Sequence, residues 1–367
     1  MSSSATIVLN NANMVGDSKD PETPYHKIGF GQCGLVCTQP NRHSVVKIAG
    51  PYFHDGLAED HLCHLRLLDA LSYHGDSMST CRIPSVLTYI DKADNDWWAT
   101  NQPLLPPDPK FPFPSMALIT ERIPPLPNTI RHALIERYCP RNLQEKAMTL
   151  LANKDCLARI YLGRRHRPGA PLPPNFTLRN FNFCLDQMIE CGLPVEEYAK
   201  TMGQCLAIMH WGARMDGYDV EFVLGGERQP EATRQPEASP MASQSLGVFG
   251  QLEHRVCMWV LDFNLCNRLV KDDDAFLLEN EEAVIAQLVL GFFENDPYYP
   301  LPMMEEGSVD EKLWSVFRGE YEQKAAVILR ESSCLQHLPS KFMDACVQRE
   351  QQSLQQGLGH GHRQYKG

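Results

Sequence analysis

Short extended runs of apolar residues come first in this chain, and helically spaced runs follow. Residues 27–49 hold apolar runs that are broken by Gly, Pro and Asn, and a polar turn at 39–42 separates two of these runs. This pattern predicts two or three antiparallel strands. Leucines and histidines recur at helical spacing over 56–71, so a helix should follow, and 83–90 and 117–120 resemble further strands.

The second half of the chain is dominated by helical spacing. Helices are predicted over 129–138, 143–152, 183–191 and 195–211. The last of these carries an apolar stripe at i, i+3 and i+4, made of Tyr198, Met202, Cys205, Leu206 and Met209. Such a stripe is typical of a helix that packs on a core.

Prolines mark the predicted division between these two halves. Six lie in 101–114 and three more in 124–127, where regular strand pairing is not expected. We therefore predict a β-rich unit over 25–123 and a helical unit over 124–348. Residues 1–24 and 349–367 are expected to be flexible ends, and the polar segment 226–247, rich in Gln, Pro, Ser and Glu, a mobile insertion.

Composition and charge narrow the classes of function. The chain has 367 residues, 43% of them hydrophobic, so it can bury a sizeable core. No membrane span or signal peptide is evident, and a cytoplasmic protein is expected. The net charge of −11 argues against a protein coated with positive charge for nucleic acid, and no DNA partner is expected. Residues 119–180 nevertheless carry eleven Lys or Arg against four acids. The chain can therefore carry one basic face although its net charge is negative.

The thirteen cysteines are scattered and odd in number, which indicates reduced thiols rather than disulfides. Cys33 and Cys37 lie close together, with His43 nearby. These three would form part of a zinc site only if further ligands converged on them, so zinc remains a minor alternative.

A glycine-rich segment offers the first candidate chemistry. Gly29, Gly31 and Gly34 follow the G-x-G-x-x-G-x-V spacing, whose glycines allow backbone amides to approach phosphates. Lys47 follows after a hairpin-length gap, where a protein kinase places its phosphate-pairing lysine. The alternative is a simple turn with an exposed lysine.

Two acidic motifs follow in the order that a kinase would have them. Asp216 occupies the position of the catalytic-loop base, and Glu221 stands five residues later in place of a metal-binding Asn. Asp262 and Asn264 belong to an Asp-Phe-Asn sequence at the end of an apolar run, where a kinase has Asp-Phe-Gly. Together with the glycine segment, these motifs predict an α+β, protein-kinase-like bilobal fold with one cleft.

The departures from the kinase pattern matter as much as the matches. Asp219 lies between Asp216 and Glu221, so three carboxylates fall within six residues and require a cation. That cation would be Mg²⁺ or a substrate that carries guanidinium and ammonium groups. Alternatively, Asp219 and Glu221 cap a helix or face solvent.

Six motifs in this order resemble the fungal arginine-containing cyclodipeptide synthases, a group within a kinase-like fungal domain formerly of unknown function. The resemblance spans about residues 25–343, and the motifs lie at 118–127, 154–165, 178–181, 205–211, 219–225 and 259–264.

This resemblance implies a reaction between arginyl-tRNA and a second aminoacyl-tRNA, which gives a cyclo(Arg-Xaa) diketopiperazine for secondary metabolism. Because clustered carboxylates need a cation, we assign Glu221 and Asp219 to arginine recognition and amine activation, in either order, and Asp216 to base or orienting work. Binding of substrate or tRNA would fall to Gly29, Gly31, Gly34, Lys47, Asp262, Asn264, Arg159, Arg164, Arg165 and Arg167. No cofactor is expected beyond the charged tRNAs, and a Mg²⁺ ion is left open.

Two other classes of function remain open on the sequence. A phosphotransferase acting on a small molecule or a protein would use Asp216 as base and Asp262 as the Mg²⁺ ligand. A catalytically inactive kinase-like binding module would use neither. The basic balance of 119–180 favours a polyanionic partner, and Asp219 with Glu221 favours a cationic substrate over a bare nucleotide. The second amino acid and a covalent intermediate stay undetermined.

Overall fold

A computed structural model describes residues 23–31, 33–75, 81–166, 176–227, 256–269, 273–302 and 306–358. Nearly all of the predicted arm at 1–24, most of the predicted insertion at 226–247 and the end of the predicted tail lie outside the described residues.

The described part is a mixed α+β structure with two sheets. Its strands are β1 His26–Phe30, β2 Gly34–Thr38, β3 Ser44–Ala49, β4 Cys81–Arg82, β5 Val86–Ile90, β6 Ala117–Glu121, β7 Ala158–Tyr161, β8 Phe181–Cys184, β9 Glu221–Gly226 and β10 Val256–Leu261. Its α-helices are α1 His54–His74, α2 Asn95–Asn101, α3 Asn128–Tyr138, α4 Gln144–Thr149, α5 Leu185–Glu190, α6 Val195–Ala207, α7 Asp274–Glu279, α8 Glu281–Glu294, α9 Val309–Ile328 and α10 Leu338–Gln355.

The first sheet is antiparallel throughout, with strand order β1-β2-β3-β6-β5. Alternate residues of β2 and β3, such as Leu35 and Ile48, point to one face and pack with Trp98 and Phe111. The proline-rich stretch 101–114, predicted to mark the division between the two units, therefore covers this face of the sheet instead. Only the shorter proline run at 124–127 connects the first sheet to the helices that follow.

Helix α1 packs near the opposite face of the first sheet. Leu57 of this helix forms a small buried cluster with Ala49 and Leu118 of the sheet. The helical prediction over 56–71 is confirmed, with the helix extending beyond it at both ends.

The second sheet has strand order β4-β10-β9-β7-β8. Strands β9 and β10 form an antiparallel pair, and β7 pairs antiparallel with β9 and parallel with β8. The large hydrophobic core lies between this sheet and the helices, and it includes Phe183, Phe222 and Phe292.

Helices α6 and α9 pack closely against each other. Gly203 of α6 lies against the backbone of α9, where a Cβ atom would clash with the carbonyl oxygen of Phe317. A glycine is therefore required at this crossing. The chain continues from α6 through a π-helical turn, Ile208–Gly212, which leads directly into the acidic loop.

Three element predictions need correction. Residues 181–184 form strand β8, because they pair with β7, so only the second part of the helix predicted at 183–191 is helical. The helix predicted over 143–152 is broken into α4 and a 3-10 turn, Leu151–Asn153. Helix α10 continues to Gln355 and so includes the first residues of the predicted tail.

No helix in the described ranges is long and apolar enough to cross a membrane. All thirteen cysteines lie within these ranges and are free thiols.

Candidate functional site

The register of the second sheet brings the two acidic motifs together. Glu221, the first residue of β9, pairs with Leu261, the last residue of β10. Asp262 follows immediately, so it emerges at the same edge of the sheet as Glu221 and the loop before it. This placement follows from strand pairing alone and explains why segments about forty residues apart meet.

Lys47 connects this edge to the first sheet. Its Nζ lies 2.7 Å from Asp262 Oδ1 and 2.6 Å from Asp60 Oδ2 on α1. Asp60 is 3% exposed, and its second oxygen accepts a hydrogen bond from the backbone N–H of Phe263 at 3.1 Å. Burial opposes the charge on Lys47, but the two carboxylates raise the pKa of its ammonium above the usual range. Lys47 is therefore a fixed cation.

The glycine segment forms the turn between β1 and β2. The N–H of Gly31 donates to the carbonyl oxygen of Gly34 at 3.0 Å. A Cβ on Gly34 would lie 2.8 Å from the carbonyl oxygen of Ile48, so this position requires glycine, whereas Gly31 has open space around it. Asn264 Nδ2 lies 2.9 Å from Cys33 Sγ, and this contact joins the turn to the Asp-Phe-Asn segment.

Arg159 points from β7 toward the edge of the second sheet that carries Glu221 and Asp262, rather than out to solvent. Its guanidinium pairs with Glu221 and with Asp296, whose Oδ2 lies 3.2 Å from Nη1. The hydroxyl of Tyr161, two residues along the same strand face, donates to the same Asp296 oxygen at 2.8 Å. Arg159 thus bridges two carboxylates, as Lys47 does.

Asp216 is a buried anchor of the loop. Its Oδ1 accepts from the N–H groups of Tyr218 and Asn267, and its Oδ2 accepts from the side-chain amides of Asn267 and Gln287, all at 2.9–3.1 Å. Four donors occupy this carboxylate, and the residue is only 3% exposed. This geometry favours a positioning role for Asp216, and its predicted role as a base stays a prediction.

Asp219 differs from its neighbours because none of the described residues donates a hydrogen bond to its carboxylate or pairs with it. Its backbone is in the left-handed region at φ +62°, which a non-glycine residue seldom adopts. Burial, followed by the nearby Asp262 and Asp296, raises the pKa of Asp219 to about 6. A carboxylate with such a pKa exchanges protons readily near neutral pH.

Glu221 experiences opposing influences. Burial raises its pKa above the usual range, Arg159 lowers it, and Asp262, Asp296 and Asp219 raise it further. Four carboxylates therefore influence one another's charge. We call them the acidic cluster: Asp219, Glu221, Asp262 and Asp296. Within the described ranges Lys47 and Arg159 are its paired cations, so the ionised cluster keeps an excess of two negative charges.

Tyr298 lies beside the acidic cluster and is fully buried. Its hydroxyl has no hydrogen-bond partner among the described residues, although it interacts electrostatically with Glu221, Arg159 and Asp296. A buried polar group without a partner costs about 1–3 kcal/mol of stability.

The basic residues expected to bind RNA do not form a free strip. Arg159 belongs to the acidic cluster, which corrects its predicted place on the nucleic-acid surface. Arg165 pairs with Asp310 at 2.7 Å, and the guanidinium of Arg164 lies over the ring of Tyr161 at 5.8 Å. Arg167 lies outside the described residues.

Sequence reasoning missed Asp60, Asp296 and Tyr161. A signal existed for Asp60, since it occupies the apolar stripe of α1 together with Leu57 and His64. A single acid on an apolar helix face commonly has a buried cationic partner. No comparable pattern surrounds Asp296, whose position depends on the loop after α8.

The zinc alternative gains no support from the geometry. Cys37 is buried in the core of the first sheet, whereas Cys33 faces Asn264 at the site. Over the described ranges, no group of three or more His, Cys, Asp or Glu side chains is arranged to hold a metal ion.

Comparison with known proteins corrects the family expected from the sequence. The model of the family DUF3669, described as a zinc finger protein, matches residues 258–333, about a fifth of the chain. No curated protein matches. The identification with arginine-containing cyclodipeptide synthases is therefore wrong as a family assignment, because the family model that matches is a different one.

The matched segment itself does not fit a zinc finger. Residues 258–333 contain one cysteine, Cys266, and no histidine. A structural zinc site of that kind needs four Cys or His ligands. Cys266 is buried, and its Sγ lies 3.4 Å from the carbonyl oxygen of Tyr218. The segment is therefore similar to that family in sequence without carrying zinc-finger ligands.

Proposed function

We propose that this chain is an aminoacyl-tRNA-dependent cyclodipeptide synthase that joins arginine from arginyl-tRNA to a second amino acid delivered by another tRNA. The observation that carries the proposal is Asp219, a half-buried carboxylate without a partner among the described residues, in a cluster with excess negative charge. An arginyl ester brings two positive charges, one on its guanidinium and one on its α-ammonium. The charges of substrate and site are complementary.

The chemistry needs a proton acceptor near neutral pH. The α-ammonium of the arginyl group must lose a proton before its nitrogen attacks the ester carbon of the second aminoacyl-tRNA. Asp219 takes that proton, since its pKa of about 6 suits exchange at neutral pH. As the C–N bond forms, the nitrogen loses a second proton, which the departing ribose oxygen takes as the ester C–O bond breaks. The proton held by Asp219 passes to solvent. The remaining amine then attacks the arginyl ester in the same way and closes the ring.

We further infer a protein-kinase-like bilobal frame, in which the first sheet with α1 forms one lobe and the rest forms the other. The support is the position of Lys47, which pairs with an acid on α1 and with the Asp of the Asp-Phe-Asn segment. No ATP is required, because each aminoacyl ester is already activated.

Contact with the tRNA backbone is better assigned to a second basic surface than to residues 159–167. Arg141, Lys146 and Lys154 are exposed and lie within one short helical segment around α4. Replacing the three by Ala should reduce the log–log salt slope of tRNA binding by about one unit per lost phosphate contact. Arg165→Ala is the matched control, because Arg165 already pairs with Asp310.

The decisive experiment is product analysis. The purified chain is incubated with total tRNA, synthetases, ATP and twenty amino acids, and cyclic dipeptides are measured by mass spectrometry, with an RNase-treated control. We expect an arginine-containing cyclic dipeptide that disappears with RNase, and a decrease of about 100-fold for Asp219→Asn. Absence of any cyclic dipeptide would refute the proposal. Because charged tRNAs are cytoplasmic, we propose that the protein acts there.

A kinase-like phosphotransferase is the second candidate, favoured by the same Lys47 arrangement. It would use Asp262 as the Mg²⁺ ligand, but Glu221, which stands in place of the second metal-binding residue, is already engaged by Arg159. Labelled ATP separates the candidates: transfer of label to a small molecule or protein, without cyclic dipeptide, would favour this one.

A further inference from the structure

Asp296 is the one carboxylate of the acidic cluster that lies far along the chain from the two acidic motifs. Its Oδ2 accepts hydrogen bonds from Arg159 and Tyr161, whereas its Oδ1 accepts none from any residue that the structure describes. The side chain is 37% exposed, so a ligand can reach the free oxygen.

The position of Asp296 is fixed relative to Asp219. Asn295 is buried, and its side-chain amide lies 3.3 Å from the carbonyl oxygen of Val220 and 3.5 Å from that of Gly217. Its own side-chain oxygen accepts the N–H of Asp296 at 2.8 Å. These contacts hold Asp296 beside the loop that presents Asp219.

A second, independent feature points to a ligand at this place. The hydroxyl of Tyr298 is fully buried, lacks a partner within the described ranges and interacts electrostatically with Asp296. An aligned N–H donor from a bound cation would give this oxygen a partner. The cluster already holds one guanidinium, that of Arg159, between Glu221 and Asp296, which shows that its spacing suits a planar fork of donors.

We propose that Asp296 binds the guanidinium of the substrate and so sets the preference of the site for arginine. This inference rests on the proposed function and assigns the two substrate charges to different residues. Asp219 faces the α-amine, and Asp296, supported by Tyr298, faces the side chain.

The test measures binding without catalysis. Methyl esters of L-arginine, L-lysine and L-citrulline are titrated into the full chain by isothermal calorimetry. Arginine ester should bind most tightly, and lysine ester more weakly because it lacks the fork of donors. Citrulline ester, whose side chain is neutral, should bind about 10- to 100-fold more weakly than arginine ester. Asp296→Asn should remove the discrimination between arginine and citrulline esters, and Asp296→Glu should restore part of it.

Controls keep the result interpretable. Asp310→Asn removes the partner of Arg165 and should leave the three affinities unchanged. Thermal unfolding of each variant verifies that it is folded. Equal binding of arginine and citrulline esters, or parent affinity in a folded Asp296→Asn variant, would overturn the inference. Selective arginine binding without any cyclic dipeptide would instead refute the proposed function and leave the subsite standing.

Discussion

Two basic residues at this site each bridge a pair of carboxylates, and the two bridges differ in how they are built. Lys47 joins Asp60 of a helix to Asp262 after a strand, across the two sheets. Arg159 joins Glu221 of a neighbouring strand to Asp296 of a loop, within one half of the molecule. Lys47 and Asp60 are more buried than the Arg159 group, so we expect the first bridge to contribute more to stability. The second bridge lies beside Asp219.

The largest expected effect tests the Lys47 bridge. Asp60→Asn leaves a largely buried ammonium with one partner, so the free energy of unfolding should fall by about 3–5 kcal/mol. Urea denaturation measures it. Asp262→Asn is the matched control, because Asp262 is 32% exposed, and a loss of about 1–2 kcal/mol is expected. Equal losses of stability in Asp60→Asn and Asp262→Asn would show that the burial of Asp60 does not strengthen its pairing with Lys47.

The Arg159 bridge should be less costly to break. Arg159→Met leaves Glu221 and Asp296 without their cation, and we expect a loss of about 2–3 kcal/mol at pH 8. The loss should become smaller at pH 5, because a protonated Glu221 needs no cation, and urea denaturation at both pH values measures the difference. A loss independent of pH would indicate that packing of the Arg159 side chain, rather than its charge, matters.

Replacing Asp219 should stabilise the fold, in contrast to the substitutions at Asp60 and Arg159. Burial raises its pKa from the ordinary 3.8 to about 6, so the folded chain binds this proton more tightly than the unfolded chain. Its contribution to stability is therefore lost as pH rises through this window. Asp219→Asn removes that penalty and should stabilise the fold by about 1 kcal/mol at pH 7.5, after allowance for solvent screening.

The pH dependence supplies the control for that prediction. At pH 3 to 4 the parent carboxyl is largely protonated, so Asp219→Asn and the parent should unfold at nearly the same urea concentration. Destabilisation by the variant at pH 7.5 would mean that the carboxylate has a stabilising partner.

The smallest changes in stability are expected at two tyrosines near Asp296, and the two should differ. Tyr161→Phe loses a hydrogen bond to a carboxylate and should cost about 1–2 kcal/mol. Tyr298→Phe removes a hydroxyl without a partner among the described residues, so its unfolding free energy should stay within about 0.5 kcal/mol of the parent or rise. A large loss for Tyr298→Phe would show that its hydroxyl is bonded in solution.

Much of the fold could be predicted because local spacing carried it. The strands around Lys47 and the helix α1 follow from apolar periodicity and the polar turn at 39–42. Strand β8 was missed because its four residues are extended only through pairing with β7, which local spacing does not encode.

The candidate site was predicted in part. Strand register places Asp262 beside Glu221, so the two acidic motifs lie at the same end of the second sheet. The basic face was predicted from a count of charges along 119–180, and such a count does not distinguish an arginine that faces solvent from one that pairs internally. Arg159 and Arg165 pair internally, and their partners lie more than sixty residues away along the chain.

The sequence by itself determined most of the order of the elements, the glycine turn, the place of Lys47 on the third strand and the run of carboxylates after residue 215, because these depend on local spacing and residue type. Only the tertiary structure decided which cation neutralises which acid. Lys47 and Asp262 are 215 positions apart, and Arg159 and Asp296 are 137 apart. Ion pairing depends on distance in space and on burial, and neither can be read from the spacing of residues along the chain.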